Sequence, residues 1–136
     1  MAAVRYLVTD VNQAIAFYRD ELGFEIKQQF GPAMAILARG NLTLWLAGPA
    51  ASASKPMPDG RKPEPGGWNR IHFIVPDIAA EVARLRSEGV RFRNEIITGP
   101  GGKQILIEDP AGNVVELFEP AASSSPSAPA QSLSSS

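Results

Sequence analysis

One carboxylate stands inside an apolar run near the end of the chain, where Glu116 is flanked by Val114, Val115, Leu117 and Phe118. A charge among apolar neighbours faces a cavity, a partner or a metal, because burying it unpaired costs roughly several kcal/mol. The simpler interpretation is a strand position that faces solvent. Glu116 is therefore the first candidate for a group that contacts a ligand.

The next candidates are Arg70 and His72, the single histidine of the chain. Because side chains alternate along a strand, both would lie on one face and Ile71 on the other. Arg70 beside Glu116 would form an ion pair that satisfies both charges, and this pair would either contact a ligand or only stabilise the sheet. No nucleophile or second base is evident beside His72, which we interpret as a ligand contact or a structural hydrogen-bonding group.

These residues are positioned by a unit that occurs twice. In the first copy Asp10 is the expected N-cap of a helix that ends at Gly23, and in the second copy Asp77 leads into the helix. Strands are predicted at 4–8, 24–30, 33–38 and 42–46, and again at 71–75, 90–97, 103–108 and 114–118. Turn-forming residues at 109–113 join the last two strands. The repeat predicts an α+β fold made of two βαβββ modules.

The chain organisation follows from this repeat. We expect a single domain over residues 1–120, with module 1 at 3–47, a linker rich in proline and glycine at 48–69, and module 2 at 70–120. Residues 121–136 are mostly Ser, Ala and Pro, with Leu133 as the single large apolar residue. Such a segment cannot bury enough apolar surface to offset the entropy of ordering, so we expect a disordered tail.

Composition excludes several classes of function. The 136 residues carry a formal net charge of −1, are 44% hydrophobic and include no cysteine. The charge argues against nucleic acid or an anionic membrane as the main partner, and the absence of cysteine excludes disulfides and thiolate metal sites. No apolar run approaches the roughly 20 residues that span a bilayer, and no basic-then-apolar leader opens the chain. We therefore expect a cytoplasmic protein.

The chain resembles the vicinal oxygen chelate superfamily, which contains glyoxalase I, extradiol dioxygenases, fosfomycin-resistance enzymes and bleomycin-resistance proteins. The resemblance is carried by residues 8–10, 14–18, 22–24 and 109–117, the last with the sequence Asp-Pro-Ala-Gly-Asn-Val-Val-Glu-Leu. It implies that the two modules form a curved mixed sheet around a concave site, in a homodimer. The motifs are specific for the fold and leave the reaction open.

The same resemblance implies four metal-ligand positions in metal-using members. Carried onto this chain, these positions are Ala3, Leu44, Arg70 and Glu116. Alanine and leucine cannot coordinate a metal, and arginine is a permanent cation that repels one. His72 lies two residues beyond an expected ligand position, and Glu108 or Asp109 would be the further donors. One histidine and one carboxylate fall short of the three protein ligands typical of a catalytic site.

We therefore interpret the chain first as a metal-independent protein of bleomycin-resistance type, which sequesters or recognises a small organic ligand and needs no cofactor. Its predicted ligand contacts are Arg5, Arg70, His72, Glu116, Trp68 and Phe118. Trp68 follows two glycines, which suit either a hinge that lays the ring over a ligand or an anchor for the linker. Counted from Leu44, strand alternation turns Trp45 away from the pocket, toward the core or a dimer contact.

Two alternatives stay open at this point. The protein could be a glyoxalase-like lyase or dioxygenase that uses a divalent metal such as Ni, Mn, Fe or Zn, held by His72 and Glu116 with further partners. It could also be a domain whose concave face has closed and which serves only as a dimeric partner. Whether any reaction is catalysed is not determined by the sequence.

Overall fold

The computed structural model describes residues 2–121, so the predicted tail at 121–136 lies outside the described residues except for Ala121. This part of the chain divides into two compact units. The first unit extends to Trp68 and also contains the turn Asp109–Asn113, whereas the second contains Asn69–Glu108 and the residues from Val114 onward. None of the described helices is long and apolar enough to cross a membrane. The single domain over 1–120 stays a prediction.

The first unit contains one complete βαβββ module. Its described elements are β1 (Val4–Leu7), α1 (Val11–Leu22), β2 (Glu25–Phe30), β3 (Met34–Arg39), β4 (Leu42–Ala47) and a short 3₁₀ helix (Ser52–Ser54). The strands pair in the order β1-β4-β3-β2, with β1 and β4 parallel and the other pairs antiparallel. Ala35, Leu37, Leu44 and Leu46 are fully buried on alternate positions of β3 and β4. Helix α1 packs against these strands.

Helix α1 begins and ends where its capping residues predict. The Asp10 carboxylate accepts a hydrogen bond from the backbone N–H of Gln13 at 2.9 Å, which satisfies a donor that the helix itself leaves unpaired. Gly23 ends the helix in the left-handed region with φ +72°, and its N–H donates to the carbonyl of Arg19. The predicted helix is thus confirmed at both ends.

The second unit repeats the module with one change. Its described elements are β5 (Arg70–Ile74), α2 (Ile78–Ser87), β6 (Arg91–Phe92), β7 (Ile97–Gly99), β8 (Gly102–Glu108) and β9 (Val114–Pro120). The pairing order is β5-β9-β8-β6, with β7 also pairing with β8, and β5 runs parallel to β9. The core contains Ile71, Val75, Ile78, Val82, Leu85, Ile105 and Ile107. Both units together confirm the predicted α+β class and the order of elements.

The strand predicted at 90–97 is wrong as a continuous element, because the chain breaks between β6 and β7. The backbone N–H of Arg93 donates to the carbonyl of Leu106 at 2.9 Å, and the side-chain oxygen of Asn94 accepts from the N–H of Leu106 at 2.9 Å. An asparagine side chain therefore replaces a backbone partner at this point, and the ladder is interrupted.

The five turn residues between β8 and β9 form a hydrogen-bonded network inside the first unit. The carboxylate of Asp109 is fully buried and accepts from the hydroxyl of Tyr18 at 2.8 Å, from the N–H of Ala111 at 2.8 Å and from the N–H of Asn113 at 2.9 Å. Burial, together with the nearby negative charge of Asp109, raises the pKa of Tyr18 above its ordinary value. Buried polar groups are stable here because each has a partner.

Candidate functional site

The register of β5 against β9 assembles the predicted polar residues of the second unit. Arg70 pairs with Val114, His72 with Glu116, and Ile74 with Phe118. In parallel strands, register partners share a face, so these six side chains lie on one side of the two strands. Ile71 and Leu117 lie on the opposite, buried side, as the alternation predicts. The structure therefore brings together four of the six predicted ligand contacts: Arg70, His72, Glu116 and Phe118.

The ion pair between Arg70 and Glu116 forms as the sequence predicts. The guanidinium Nε donates to Oε1 of the carboxylate at 3.0 Å. The Arg70 side chain keeps 32% of its surface exposed, whereas that of Glu116 keeps 11%. Because the carboxylate is the more buried partner, removing the guanidinium would leave a poorly solvated charge. The pair fixes the position of one cation on the candidate face.

His72 and Phe118 form the aromatic part of the site. Their ring centroids are 5.4 Å apart and the rings are nearly perpendicular, an edge-to-face contact. His72 is exposed, and the neighbouring Ile74 keeps 58% of its surface accessible. The face therefore combines a cation, a carboxylate, an imidazole and accessible apolar groups, which together suit the binding of a small molecule.

Sequence reasoning missed the contribution of β8 to the same face. Leu106 pairs with Glu116 and Gln104 pairs with Phe118, so both side chains border the candidate residues. The sequence could have predicted this contribution, because the length of a hairpin turn fixes the register of the two strands that it joins. Leu106 and Gln104 extend the face by one apolar and one amide side chain.

The further metal donors considered from the sequence are engaged elsewhere. Glu108 accepts from Nε of Arg93 at 2.7 Å and lies 3.6 Å from Nε of Arg91, forming an ion pair with each. Asp109 is the acceptor of the buried network in the first unit. Neither carboxylate therefore has the surroundings of an open metal ligand.

Arg5 and Trp68, the other two predicted contacts, belong to the first unit. The Arg5 guanidinium lies 5.3 Å from the ring centroid of Trp45, a cation–π contact. Trp68 keeps 67% of its surface exposed at the end of the linker segment. The roles of Arg5 and Trp68 as ligand contacts stay predictions.

The predicted orientation of Trp45 is wrong. Arg5 pairs with Trp45, and Val4 pairs with Leu44, so Trp45 lies on the face of Arg5 while Leu44 is fully buried on the other side. The structural counterpart of Glu116 in the first module is therefore Trp45 rather than Leu44. The indole Nε1 of Trp45 is buried and has no hydrogen-bond partner among the described residues, which is uncommon for a buried donor.

The side chains at the implied metal positions do not fit a divalent cation. Arg70 places a permanent positive charge 3.0 Å from Glu116, and its Nε–H already donates to a carboxylate oxygen that a metal would need. Across residues 2–121, no group of three or more His, Asp or Glu side chains is placed to hold a metal ion. The side chains that could coordinate a metal on this face are thus the imidazole of His72 and the carboxylate of Glu116, which is already paired with Arg70.

Comparison with known proteins agrees with this architecture. Methylmalonyl-CoA epimerase of Mus musculus is 28% identical over 123 residues, covering 84% of this chain and 69% of that protein. The structure of lactoylglutathione lyase from Agrobacterium tumefaciens matches with a TM-score of 0.65 at 25% identity, covering 88% of this chain and 92% of the other. TnmS3, an antibiotic binding protein from Streptomyces sp. CB03234, matches with a TM-score of 0.63 at 25% identity, covering 89% and 97%.

A family model, Glyoxalase/Bleomycin resistance protein/Dioxygenase superfamily, matches residues 1–117 of this chain. The chain belongs to the Glyoxalase/Bleomycin resistance protein/Dioxygenase superfamily.

Proposed function

We propose that this protein binds a small organic molecule without a metal, as bleomycin-resistance proteins do, and thereby sequesters or recognises it. The observation that carries the proposal is the ion pair between Arg70 and Glu116, with 3.0 Å between Nε and Oε1. Of the four implied metal-ligand positions, Glu116 is the one that holds a carboxylate, and Arg70 balances the charge of this carboxylate. The similarity to TnmS3, described as an antibiotic binding protein, supports a function in binding.

The ligand contacts of this function come from three kinds of group. The guanidinium of Arg70 donates hydrogen bonds, the imidazole of His72 donates or accepts, and the ring of Phe118 offers an apolar edge and face. A ligand that combines a planar apolar part with hydrogen-bond acceptors complements this set. The protein acts in this proposal as a homodimer in the cytoplasm, and light scattering after size-exclusion chromatography tests the dimer.

A divalent-metal lyase or dioxygenase is the second candidate, because one observation favours it. His72 and Glu116 are direct register partners, so an imidazole and a carboxylate stand side by side on one face. The resemblance of this chain to lactoylglutathione lyase is of the same extent as its resemblance to TnmS3. This function would require Glu116 to release Arg70 and to bind a divalent metal ion instead.

Calorimetric titration with Ni²⁺, Mn²⁺, Fe²⁺ and Zn²⁺ separates the two candidates. Protein purified without chelator should contain no stoichiometric metal, and the titration should then show no stoichiometric binding at micromolar metal, because a fixed guanidinium opposes a dication. Stoichiometric binding that disappears in Glu116→Ala would refute the proposal and favour the enzyme.

A thermal-shift screen of organic compounds then tests ligand binding directly. Compounds that bind the folded protein raise its melting temperature, and we expect Arg70→Gln to lose this response. Arg84→Gln is the matched control, since Arg84 pairs with Glu81 at 2.9 Å on helix α2, outside the candidate face. An equal response in wild type and Arg70→Gln would contradict the assigned role of Arg70.

A further inference from the structure

We propose that the first unit carries a separate binding pocket for a small organic anion with an apolar body. A cavity of about 450 Å³ lies between the end of β1 and the proline-rich part of the linker. This volume falls within the range of about 300–1,000 Å³ that is usual for small-molecule sites. All its lining residues belong to the first unit, and none of them is a residue of the candidate site on β5 and β9.

The walls of the cavity are mostly apolar and rigid. Leu7 at the end of β1 and Val8 directly after it form one side, and Pro49, Pro63 and Pro65 line the linker side. Each proline fixes its own φ angle and also restricts the residue before it to extended conformations. A wall built in this way loses little conformational entropy when a ligand binds, so the pocket is preorganised.

Asn113 holds the two walls together. Its side-chain Nδ2 donates to the carbonyl of Leu7 at 2.7 Å, and its Oδ1 accepts from the N–H of Gly66 at 2.8 Å. Leu7 is part of one wall, and Gly66 directly follows Pro65 of the other. Asn113 keeps only 4% of its surface exposed, and Nδ2 also donates to Asp109 at 3.0 Å. The distance between the walls is therefore set by a buried amide with several hydrogen bonds.

The polar groups at the cavity determine the class of ligand. Among the described residues that line it, Lys62 is the one cation and Glu64 the one anion, and both are exposed. The hydroxyl of Ser54 already donates to the carbonyl of Gly48 at 2.8 Å, and Thr9 adds a second hydroxyl. We assign the ligand a single anionic group, which Lys62 would attract and Glu64 would oppose, so the affinity depends on the balance of these two charges.

The fluorescent probe 1-anilinonaphthalene-8-sulfonate has the required chemistry, an apolar aromatic body with one sulfonate, and tests the proposal on the full chain. We expect saturable binding to the wild type that Thr9→Phe weakens at least about tenfold by filling the cavity. Lys62→Gln should weaken binding about threefold and Glu64→Gln should strengthen it, because exposed charge pairs contribute modestly. Lys55→Gln is the matched control in the same linker and should bind as the wild type does.

Several outcomes would overturn the proposal. It fails if the wild type does not bind the probe, if Thr9→Phe with an unchanged melting temperature binds as tightly as the wild type, or if Lys62→Gln and Lys55→Gln behave alike. The comparison of the two lysine variants stays decisive even if Thr9→Phe does not fold. Probe binding that Lys62→Gln leaves intact and Arg70→Gln abolishes would assign the probe to the candidate site of the second unit and overturn the proposal.

Discussion

The buried contact between Tyr18 and Asp109 makes a quantitative prediction about stability at alkaline pH. Tyr18 is fully buried, and its hydroxyl donates to Oδ2 of Asp109 at 2.8 Å. Replacing Tyr18 by Phe keeps the ring and removes this donor from a charged acceptor. A hydrogen bond to a charged group contributes about 1.5–3 kcal/mol, so Tyr18→Phe should lower the free energy of unfolding by about 2 kcal/mol at pH 8.

This difference should shrink at high pH. Burial and the charge of Asp109 raise the pKa of Tyr18 in the folded protein, so the native state keeps a proton that the unfolded chain releases near its ordinary pKa of 10. The stabilisation is therefore complete below pH 10 and is lost above it, at about 1.4 kcal/mol per pH unit. Tyr18→Phe has no such group. The stabilities of the two proteins should become equal near pH 11.5, roughly.

Urea unfolding followed by circular dichroism between pH 8 and pH 11.5 measures the prediction. Both proteins carry Tyr6→Phe in this comparison, because Tyr6, the other tyrosine of the chain, interacts electrostatically with Tyr18. Phe24→Leu is the control, because Phe24 contacts the Tyr18 ring at 5.5 Å between centroids and carries no titrating group. Its stability deficit should be independent of pH. A deficit of Tyr18→Phe that stays constant or grows up to pH 11.5 would refute the reasoning.

Two further predictions concern the candidate site and its counterpart in the first unit. In urea unfolding, Arg70→Gln should lower the free energy of unfolding by about 1–3 kcal/mol, because it leaves the more buried charge, that of Glu116, without its partner. Glu116→Gln should lower it by less. A larger loss in Glu116→Gln than in Arg70→Gln would contradict the burial argument. Trp45→Phe should change the free energy of unfolding by less than about 1 kcal/mol, since the lost apolar area is offset by removing a buried donor that has no partner among the described residues. A loss above about 3 kcal/mol, as truncation of a tightly packed ring gives, would contradict this expected balance.

Much of the fold could be predicted because its signals are local. Asp10 and Gly23 cap α1 through contacts within one helical turn, and Asp77 caps α2 in the same way through the N–H of Ala80 at 3.1 Å. Alternation on β5 predicted the face shared by Arg70 and His72 correctly. The break between β6 and β7 could not be predicted in this way, because it depends on Asn94 reaching the backbone of a residue twelve positions further on.

The orientation of Trp45 was missed for a physical reason that can be traced. The sequence Gly-Asn at 40–41 matches Gly-Asn at 112–113 and sets Leu44 against Glu116. The hairpin of β3 and β4, however, closes between Arg39 and Leu42, whereas that of β8 and β9 closes between Glu108 and Val114. The pair that closes the two-residue turn shares the buried face of Leu44, whereas the pair that closes the five-residue turn shares the face of Glu116, so equal positions after the two turns point to opposite faces. Turn length therefore limits what a repeat offset can predict about a site.

The corrected register shows how the two copies of the module differ in chemistry at equivalent positions. In the second unit the parallel pair is His72 with Glu116, and in the first unit it is Arg5 with Trp45. Neither a guanidinium nor an indole coordinates a metal, so the first copy contributes no ligand at these two positions. The second copy retains two donors, one of which is paired with Arg70. Replacing Arg70 alone would therefore leave one imidazole and one carboxylate, still fewer than the three protein ligands of a typical catalytic site. The proposed metal-independent binding thus rests on the side chains at these positions in both copies of the module.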